Sequence, residues 1–184
     1  MDIELKDLLE EKRATILKKW FDEIMETYPV DTSGFLKKQK DRFANPVGYT
    51  VSQGIESILG ALIQGTDFTD CLPFLDNLIR VRAIQEFTPS RAMTFIFLLK
   101  KVVRKELEME IKQNQISGAL LEFELKIDDL VLFSFDIYLK CREQLYQLKS
   151  DELKRLTFTL LKKANLMSEI PVQEFERQDL KTNI

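Results

Sequence analysis

The sequence predicts an all-α protein, and three observations support that fold class. Apolar residues recur at steps of three and four along most of the chain, which is the spacing of one helix face. Two prolines follow good N-cap residues, at Asn45-Pro46 and Thr88-Pro89, which is a typical way for a helix to begin. No run of alternating β-branched residues bounded by turns occurs, so strands are not expected.

The size and composition indicate one folded domain with a single core. The chain has 184 residues, of which 45% are hydrophobic and 31% charged, as in ordinary globular proteins. We expect a helical domain over residues 1–167 and a polar tail over 168–184, where Pro171 breaks the pattern. The net charge of -3 makes a nucleic-acid partner unexpected, because such domains usually carry a basic excess.

The ends and apolar runs of the sequence bear on location. The first residues are charged and include no apolar signal region, and no apolar run approaches the roughly 20 residues that span a bilayer. We therefore expect a cytoplasmic protein without a membrane span.

The chain contains no histidine, which removes many kinds of site at once. Ser-His and Cys-His nucleophile pairs, HExxH zinc sites and haem ligation by histidine are all excluded. Cys71 and Cys141 lie in apolar helical patterns and are expected to be buried thiols. Asp128 and Asp129 are adjacent and point about 100° apart on a helix, so they do not form an acid–base pair. We expect no enzyme activity, no cofactor and no metal.

The first half of the chain reads as a series of helices. Apolar residues from Leu5 to Tyr28 predict one amphipathic helix, with an offset in the pattern near Lys12, and Pro29 ends it. A short helix is expected to follow and to run through Phe43.

Asn45 and Pro46 predict the start of a central helix that continues to about Gln64. Small residues form one stripe along it, at Gly54, Ser57, Ala61 and Gly65. Such a stripe allows either another helix or a ligand to approach the backbone closely, and both readings stay open. Gly48 is unexplained, because glycine in a first turn costs up to about 1 kcal/mol relative to alanine.

Two more helices are predicted to follow, one from about Asp70 and one that begins at Thr88-Pro89 and continues to about residue 113. The second begins with an apolar stretch, in which Phe95 and Phe97 are expected to form a buried aromatic cluster that packs the core or lines a pocket. The candidate residues for a ligand pocket or for close helix packing are Trp20, Phe43, Gly48, Gly54, Ser57, Ala61, Phe95 and Phe97.

The longest predicted helix covers about 119–148 and buries the face that includes Leu120, Ile127 and Leu148. A last helix is expected from Ser150 or Asp151 to about Met167. Phe133 interrupts the otherwise polar stripe of the long helix. The candidate residues for a dimer or partner face are Phe133, Asp136, Lys140 and Leu156.

Three blocks of sequence, "KKWFDEIMETYP", "DRFANPVGYT" and "AIQEFTPSRAMTFIFLLKK", resemble the N-terminal domain family of the co-antagonist proteins RsbR and RsbRD of bacterial stress signalling. The resemblance covers roughly residues 9–166. It implies a globin-like bundle of about six to eight helices that lacks haem, forms a dimer and passes a signal to an attached STAS domain. The residues after about Met167 are too few for a STAS domain, so we expect a sensor that acts through non-covalent contacts.

The resulting hypothesis is a non-catalytic, homodimeric regulatory domain that senses a small apolar ligand or binds an unknown signalling protein. The alternative is a pure protein–protein adaptor with a solid core and no ligand cavity. An adaptor should show no enclosed apolar volume near Trp20, Gly54 and Phe95.

Overall fold

The computed structural model describes residues 3–29, 32–34, 36, 43–65, 68, 71–85, 87–113 and 116–164. These residues form helices and no strands, which confirms the predicted all-α class. The seven helices that can be delimited are α1 (Ile3–Glu11), α2 (Arg13–Glu26), α3 (Pro46–Gln64), α4 (Leu72–Ile84), α5 (Pro89–Glu106), α6 (Glu108–Lys112) and α7 (Ser117–Lys163). Backbone contacts divide the chain into two units, residues 1–143 and 144–184.

The core of the first unit is built around α2 and α3. Helix α2 packs against α1, α3 and α5, and helix α3 also contacts α1 and α4. The central position predicted for α3 is therefore confirmed. Its sequence explains the position, because ten of its residues are buried, more than one narrow face could supply.

Helix α3 begins where the sequence predicted. Asn45 is the N-cap, its Oδ1 accepts a hydrogen bond from the Gly48 amide at 2.8 Å, and Pro46 occupies the first turn. The Asn45 Nδ2 donates to the Leu36 carbonyl at 2.8 Å and so ties the preceding segment to the helix. At the other end, Gly65 adopts a left-handed conformation with φ 66° and closes the helix.

The same cap explains Gly48. A Cβ atom at this position would lie 2.2 Å from Nδ2 of Asn45, far inside van der Waals contact. A side chain at this position would therefore have to displace the capping amide of Asn45, which explains the glycine.

Two predicted helices are each interrupted. The expected single helix over Leu5–Tyr28 is wrong, since α1 ends before Lys12 and α2 begins after it. The Lys12 Nζ donates to the Glu106 carbonyl and to Glu110 Oε1, both at 2.7 Å. The helix expected after Pro89 likewise divides at Leu107, which is fully buried. The two interruptions therefore face each other and are joined by Lys12.

Towards the end of the described residues, one continuous helix is found where two helices were predicted. Helix α7 continues to Lys163 without the break predicted at Ser150 or Asp151. Asp151 is not a cap, because its Oδ1 accepts a hydrogen bond from Gln147 Nε2 one turn earlier, at 2.9 Å. Within the second unit the side chains from 146 to 164 are exposed, so the predicted burial of Leu148 is also wrong.

Other predictions have mixed outcomes. Thr32–Gly34 and Leu36 are helical, but Phe43 lies in a turn, so the short helix does not extend through it. Both cysteines are buried free thiols, as expected. The tail predicted over 168–184 lies outside the described residues.

Candidate functional site

The most unusual group in the first unit is the side chain of Arg82 on α4, which is completely buried. Its guanidinium carbon lies 5.4 Å from the ring centroid of Tyr28, 5.0 Å from that of Phe87 and 5.1 Å from that of Phe95. A cation over aromatic faces is attracted by the ring electrons, more strongly where water is excluded. We call these four residues the Arg82 cluster.

The hydrogen bonds of the Arg82 cluster are incomplete. Arg82 donates to the Arg91 carbonyl and to Thr27 Oγ1, each at 3.2 Å. Its Nε and the Tyr28 hydroxyl are buried and have no hydrogen-bond partner among the described residues. No described carboxylate lies within ion-pair distance of the guanidinium. Buried arginines are usually paired with a carboxylate, so this one stands out.

Burial dominates the electrostatics of this cluster. Loss of water lowers the pKa of the Arg82 guanidinium below its ordinary value, and the neighbouring Tyr28 only partly offsets this effect. Burial likewise raises the pKa of the Tyr28 hydroxyl, against the opposing influence of the Arg82 charge. Both shifts favour the neutral forms, so the folded chain holds a charge here at an energetic cost.

The Arg82 cluster is connected to α7 through Phe87. The Phe87 ring packs edge-on against Tyr28 with centroids 5.3 Å apart, and its carbonyl accepts a 2.6 Å hydrogen bond from the Tyr138 hydroxyl on α7. Arg142 of α7 donates to the Ala83 carbonyl at 3.2 Å. The connection between α4 and α5 is thus held by the cluster on one side and by α7 on the other.

Salt bridges fix the same face of α7 to α5. Arg104 makes a bidentate pair with Glu124, with Nε–Oε1 and Nη2–Oε2 distances of 2.6 and 2.7 Å. Lys100 Nζ lies 2.6 Å from Asp128 Oδ1. Glu124 is buried, so its pairing with Arg104 satisfies a charge that burial alone would penalise.

A second face of α7 in the first unit carries large apolar side chains that are exposed. We call it the α7 apolar face, and its residues are Leu121, Leu125, Leu132, Phe135 and Leu139. Leu132, for example, retains 68% of its accessible surface. Their spacing of four, seven, three and four places them in one stripe along the helix, and Asp128, which pairs with Lys100, takes the position between Leu125 and Leu132. An exposed apolar stripe of this size is typical of interaction surfaces.

Two of the candidate pocket residues lie together in the core. Trp20 and Phe95 are fully buried, and the Trp20 indole N–H donates to the Phe95 carbonyl at 2.6 Å. Gly54 is packed against α4, since a Cβ there would lie 3.5 Å from Leu78 Cδ2. Four surface grooves among the described residues are lined by other side chains and not by Trp20, Gly54 or Phe95.

The remaining candidates lie elsewhere. Phe97 is 46% exposed, so the buried cluster expected with Phe95 is wrong, because two residues along a helix turn the side chain by about 200°. Gly48 lines one open groove, Phe43 a second, and Ser57 and Ala61 a third. The candidate pocket residues are thus distributed between the core and the surface.

The largest apolar lining belongs to the groove beside Gly48. It has a volume of about 410 Å³ and opens between α2 and α3. Its apolar walls come from Leu17, Phe21, Leu36 and Tyr49.

The candidate partner-face residues are all exposed. Phe133, Asp136 and Lys140 lie on α7 in the first unit, along one border of the α7 apolar face. Leu156 lies in the second unit and is also exposed. Arg82 and the residues of the α7 apolar face were not among the site residues predicted from the sequence.

The described residues include no group of three or more Cys, Asp or Glu side chains placed to hold a metal ion. No helix within the described ranges has the length and hydropathy to cross a lipid bilayer. The two features that stand out are therefore a buried cation and an exposed apolar stripe.

The sequence profile of the RsbT co-antagonist protein rsbRD N-terminal domain matches residues 14–153. The chain belongs to this family. The match covers most of the chain, including the Arg82 cluster and the whole α7 apolar face, and it confirms the resemblance inferred from the three sequence blocks. An RsbRD N-terminal domain is a regulatory domain of stress signalling. No curated protein and no solved structure gives a significant match to the chain.

Proposed function

We propose that this RsbRD N-terminal domain regulates stress signalling through protein contacts, as a homodimer formed by the α7 apolar face. The observation that carries the proposal is that face itself, five large apolar side chains aligned on a helix whose other face is fixed to the core. Leaving such a stripe in water is unfavourable by about 25 cal/mol for each Å² of apolar surface that a partner could cover.

A second copy of the chain fits this face because its free border carries both signs of charge. Lys126, Asp129, Asp136 and Lys140 follow one another along it, with a cation at each end and two carboxylates between them. In a two-fold dimer, residue i of one copy meets residue j of the other and the reverse, so mixed charges on one border can pair with themselves. A border with only one sign of charge would instead repel the same border of the second copy.

The other border of the face explains how a dimer could respond to the state of the core. Tyr138 and Arg142 lie on that side of α7 and bind the Phe87 and Ala83 carbonyls. We propose that a change at the Arg82 cluster reaches the dimer contact through these two hydrogen bonds.

Light scattering on two matched double variants tests the dimer. Leu132→Asp with Leu139→Asp places charges on the α7 apolar face and is expected to yield a monomer. Ile84→Asp with Met109→Asp makes the same change at two equally exposed apolar residues of α4 and α6, and is expected to leave the dimer intact. Equal masses for the two double variants would reject the proposed face.

A second candidate function is binding of a small apolar ligand in the groove beside Gly48, supported by its apolar walls and its volume of about 410 Å³. A ligand that binds the native state raises its thermal midpoint. Fatty acids should then raise the midpoint of the natural chain but not of Leu17→Asp, whereas the absence of any shift for the natural chain would reject ligand binding.

A further inference from the structure

The last three turns of α7 carry an unusual combination of charge and apolar surface. The segment reads "LKRLTFTLLKK", from Leu153 to Lys163, and we call it the basic segment. It contains four cations and no acidic residue, and every side chain in it is exposed within the second unit. All but its first residue follow the part of the chain that matches the family profile.

The basic segment is amphipathic. At about 100° per residue, Leu153, Leu156, Leu160 and Leu161 share one arc of the helix. Arg155 and Lys162 lie on the opposite side, and Lys154 and Lys163 lie near the two borders of the leucine arc. Beyond Lys154 the apolar surface continues to Phe158, so it wraps around more than half of the helix.

This arrangement does not suit a second copy of the same chain. The positions that continue the spacing of the α7 apolar face include Leu153, Leu156 and Leu160 but also Lys149 and Lys163, so a second copy packed along them would enclose two cations. Two copies would also bring their exposed cations together without any acid in the segment to offset them. Like charges at a shared contact are unfavourable.

A lipid surface matches the charge and the apolar surface of the basic segment better than a second copy does. An interfacial helix buries a broad apolar arc in the outer part of the bilayer, needs no matching groove, and directs lysine and arginine to the head groups. Anionic head groups attract such cations within about a Debye length of the surface. A groove in a partner protein would instead engage a narrower set of anchors at i, i+3 and i+7.

We propose that the basic segment binds peripherally to membranes that contain anionic lipids, with the leucine arc and Phe158 in the interface and the four cations at the head groups. This inference goes beyond the proposed dimer and does not depend on it, because the α7 apolar face lies in the other unit.

Flotation of the full chain with lipid vesicles tests the inference. Vesicles of equal parts phosphatidylglycerol and phosphatidylcholine should bind it at least about tenfold more tightly than phosphatidylcholine alone, and added salt should weaken this binding. Equal binding to both vesicles, or binding to neither, would overturn the proposal. Failure to bind anionic vesicles would leave an acidic protein surface as the occupant.

Two charge-matched variants separate the basic segment from the overall charge. Lys154→Glu with Lys162→Glu should reduce binding to anionic vesicles at least about tenfold. Lys18→Glu with Lys105→Glu makes the same change in net charge at exposed lysines of α2 and α5, and should retain most of the binding. An equal loss in both would contradict the assignment to the basic segment. Loss of a dimer in the first variant without a change in vesicle binding would mean that a second copy covers the segment.

Discussion

The Arg82 cluster and the α7 apolar face depart from ordinary burial in opposite directions. In the cluster, a guanidinium that pairs with no carboxylate of the described residues lies among three aromatic rings. On α7, five large apolar side chains lie in solvent in the first unit. Each arrangement costs stability. A fold selected for stability alone would bury the apolar side chains and leave the guanidinium in water. We interpret the Arg82 cluster as a feature that acts within the domain, and the α7 apolar face as a feature that contacts other molecules.

The largest expected effect comes from reversing the buried charge. Arg82→Glu would place a carboxylate against aromatic faces at a position from which water is excluded, so the free energy of unfolding should fall by about 4 kcal/mol. Arg82→Met retains much of the volume without the charge and should change it by less than about 1 kcal/mol. Urea unfolding measures both.

Arg80→Glu is the matched control, because Arg80 lies two residues away on α4 and is partly exposed beside Asp76. Its effect should stay within about 1 kcal/mol. A comparable loss in Arg80→Glu and Arg82→Glu would show that burial of the charge is not what distinguishes the cluster.

The two faces of α7 provide the second test. Leu130 is fully buried and Leu132 is 68% exposed, although they are two residues apart. Leu130→Ala should lower the unfolding free energy by about 3 kcal/mol, because it leaves a cavity. Leu132→Ala should change it by less than about 0.5 kcal/mol when measured at concentrations where the chain is monomeric.

Hydrogen exchange or urea unfolding of Leu130→Ala and Leu132→Ala would distinguish the buried face of α7 from the exposed one. If Leu132→Ala proved as damaging as Leu130→Ala in the monomer, the face would be part of the core and not a contact surface.

The two faces of α7 also show how much of the structure could be predicted from the sequence. The buried face of α7 through Cys141 and the bounds of α3 were predictable, since Asn45 and Pro46 are local signals and the spacing of α7 is regular. The exposed face had a signal too, because Leu125, Leu132 and Leu139 recur every seven residues. Spacing alone does not say which of two apolar stripes finds the core.

Other features depend on contacts that no local pattern contains. The interruption at Lys12 is joined to Glu106 and Glu110, far along the chain. Arg82 is one arginine on a helix, and two of the rings around it, those of Tyr28 and Phe95, belong to other segments of the chain. Phe97 was read as buried because its neighbours are apolar, but it lies on the outer side of α5.

A smaller effect is expected where the two regions meet. Tyr138→Phe removes the hydrogen bond to the Phe87 carbonyl and should lower the unfolding free energy by about 1 kcal/mol. Tyr146→Phe makes the same chemical change at an exposed tyrosine of the second unit, and as the control it should have a smaller effect. An unchanged stability in Tyr138→Phe would remove the proposed connection between the cluster and α7.

The smallest effect concerns the Tyr28 hydroxyl of the cluster. Burial raises the pKa of Tyr28, so the folded chain keeps this group neutral above pH 10.0, where an unfolded tyrosine ionises. The stability due to this group is therefore complete below that pH and declines as the pH rises through the folded-state pKa. Tyr28→Phe should match the natural chain within about 1 kcal/mol at neutral pH and lose less stability above pH 10.0. Parallel pH profiles for both chains would contradict the assignment.

The central claim is that the α7 apolar face is covered by a second copy of the chain, and sedimentation equilibrium of the unmodified protein over a concentration series tests it most directly. If the chain dimerises, its mass should rise with concentration to twice the 21.6 kDa of one chain. A mass of 21.6 kDa at every concentration would contradict it.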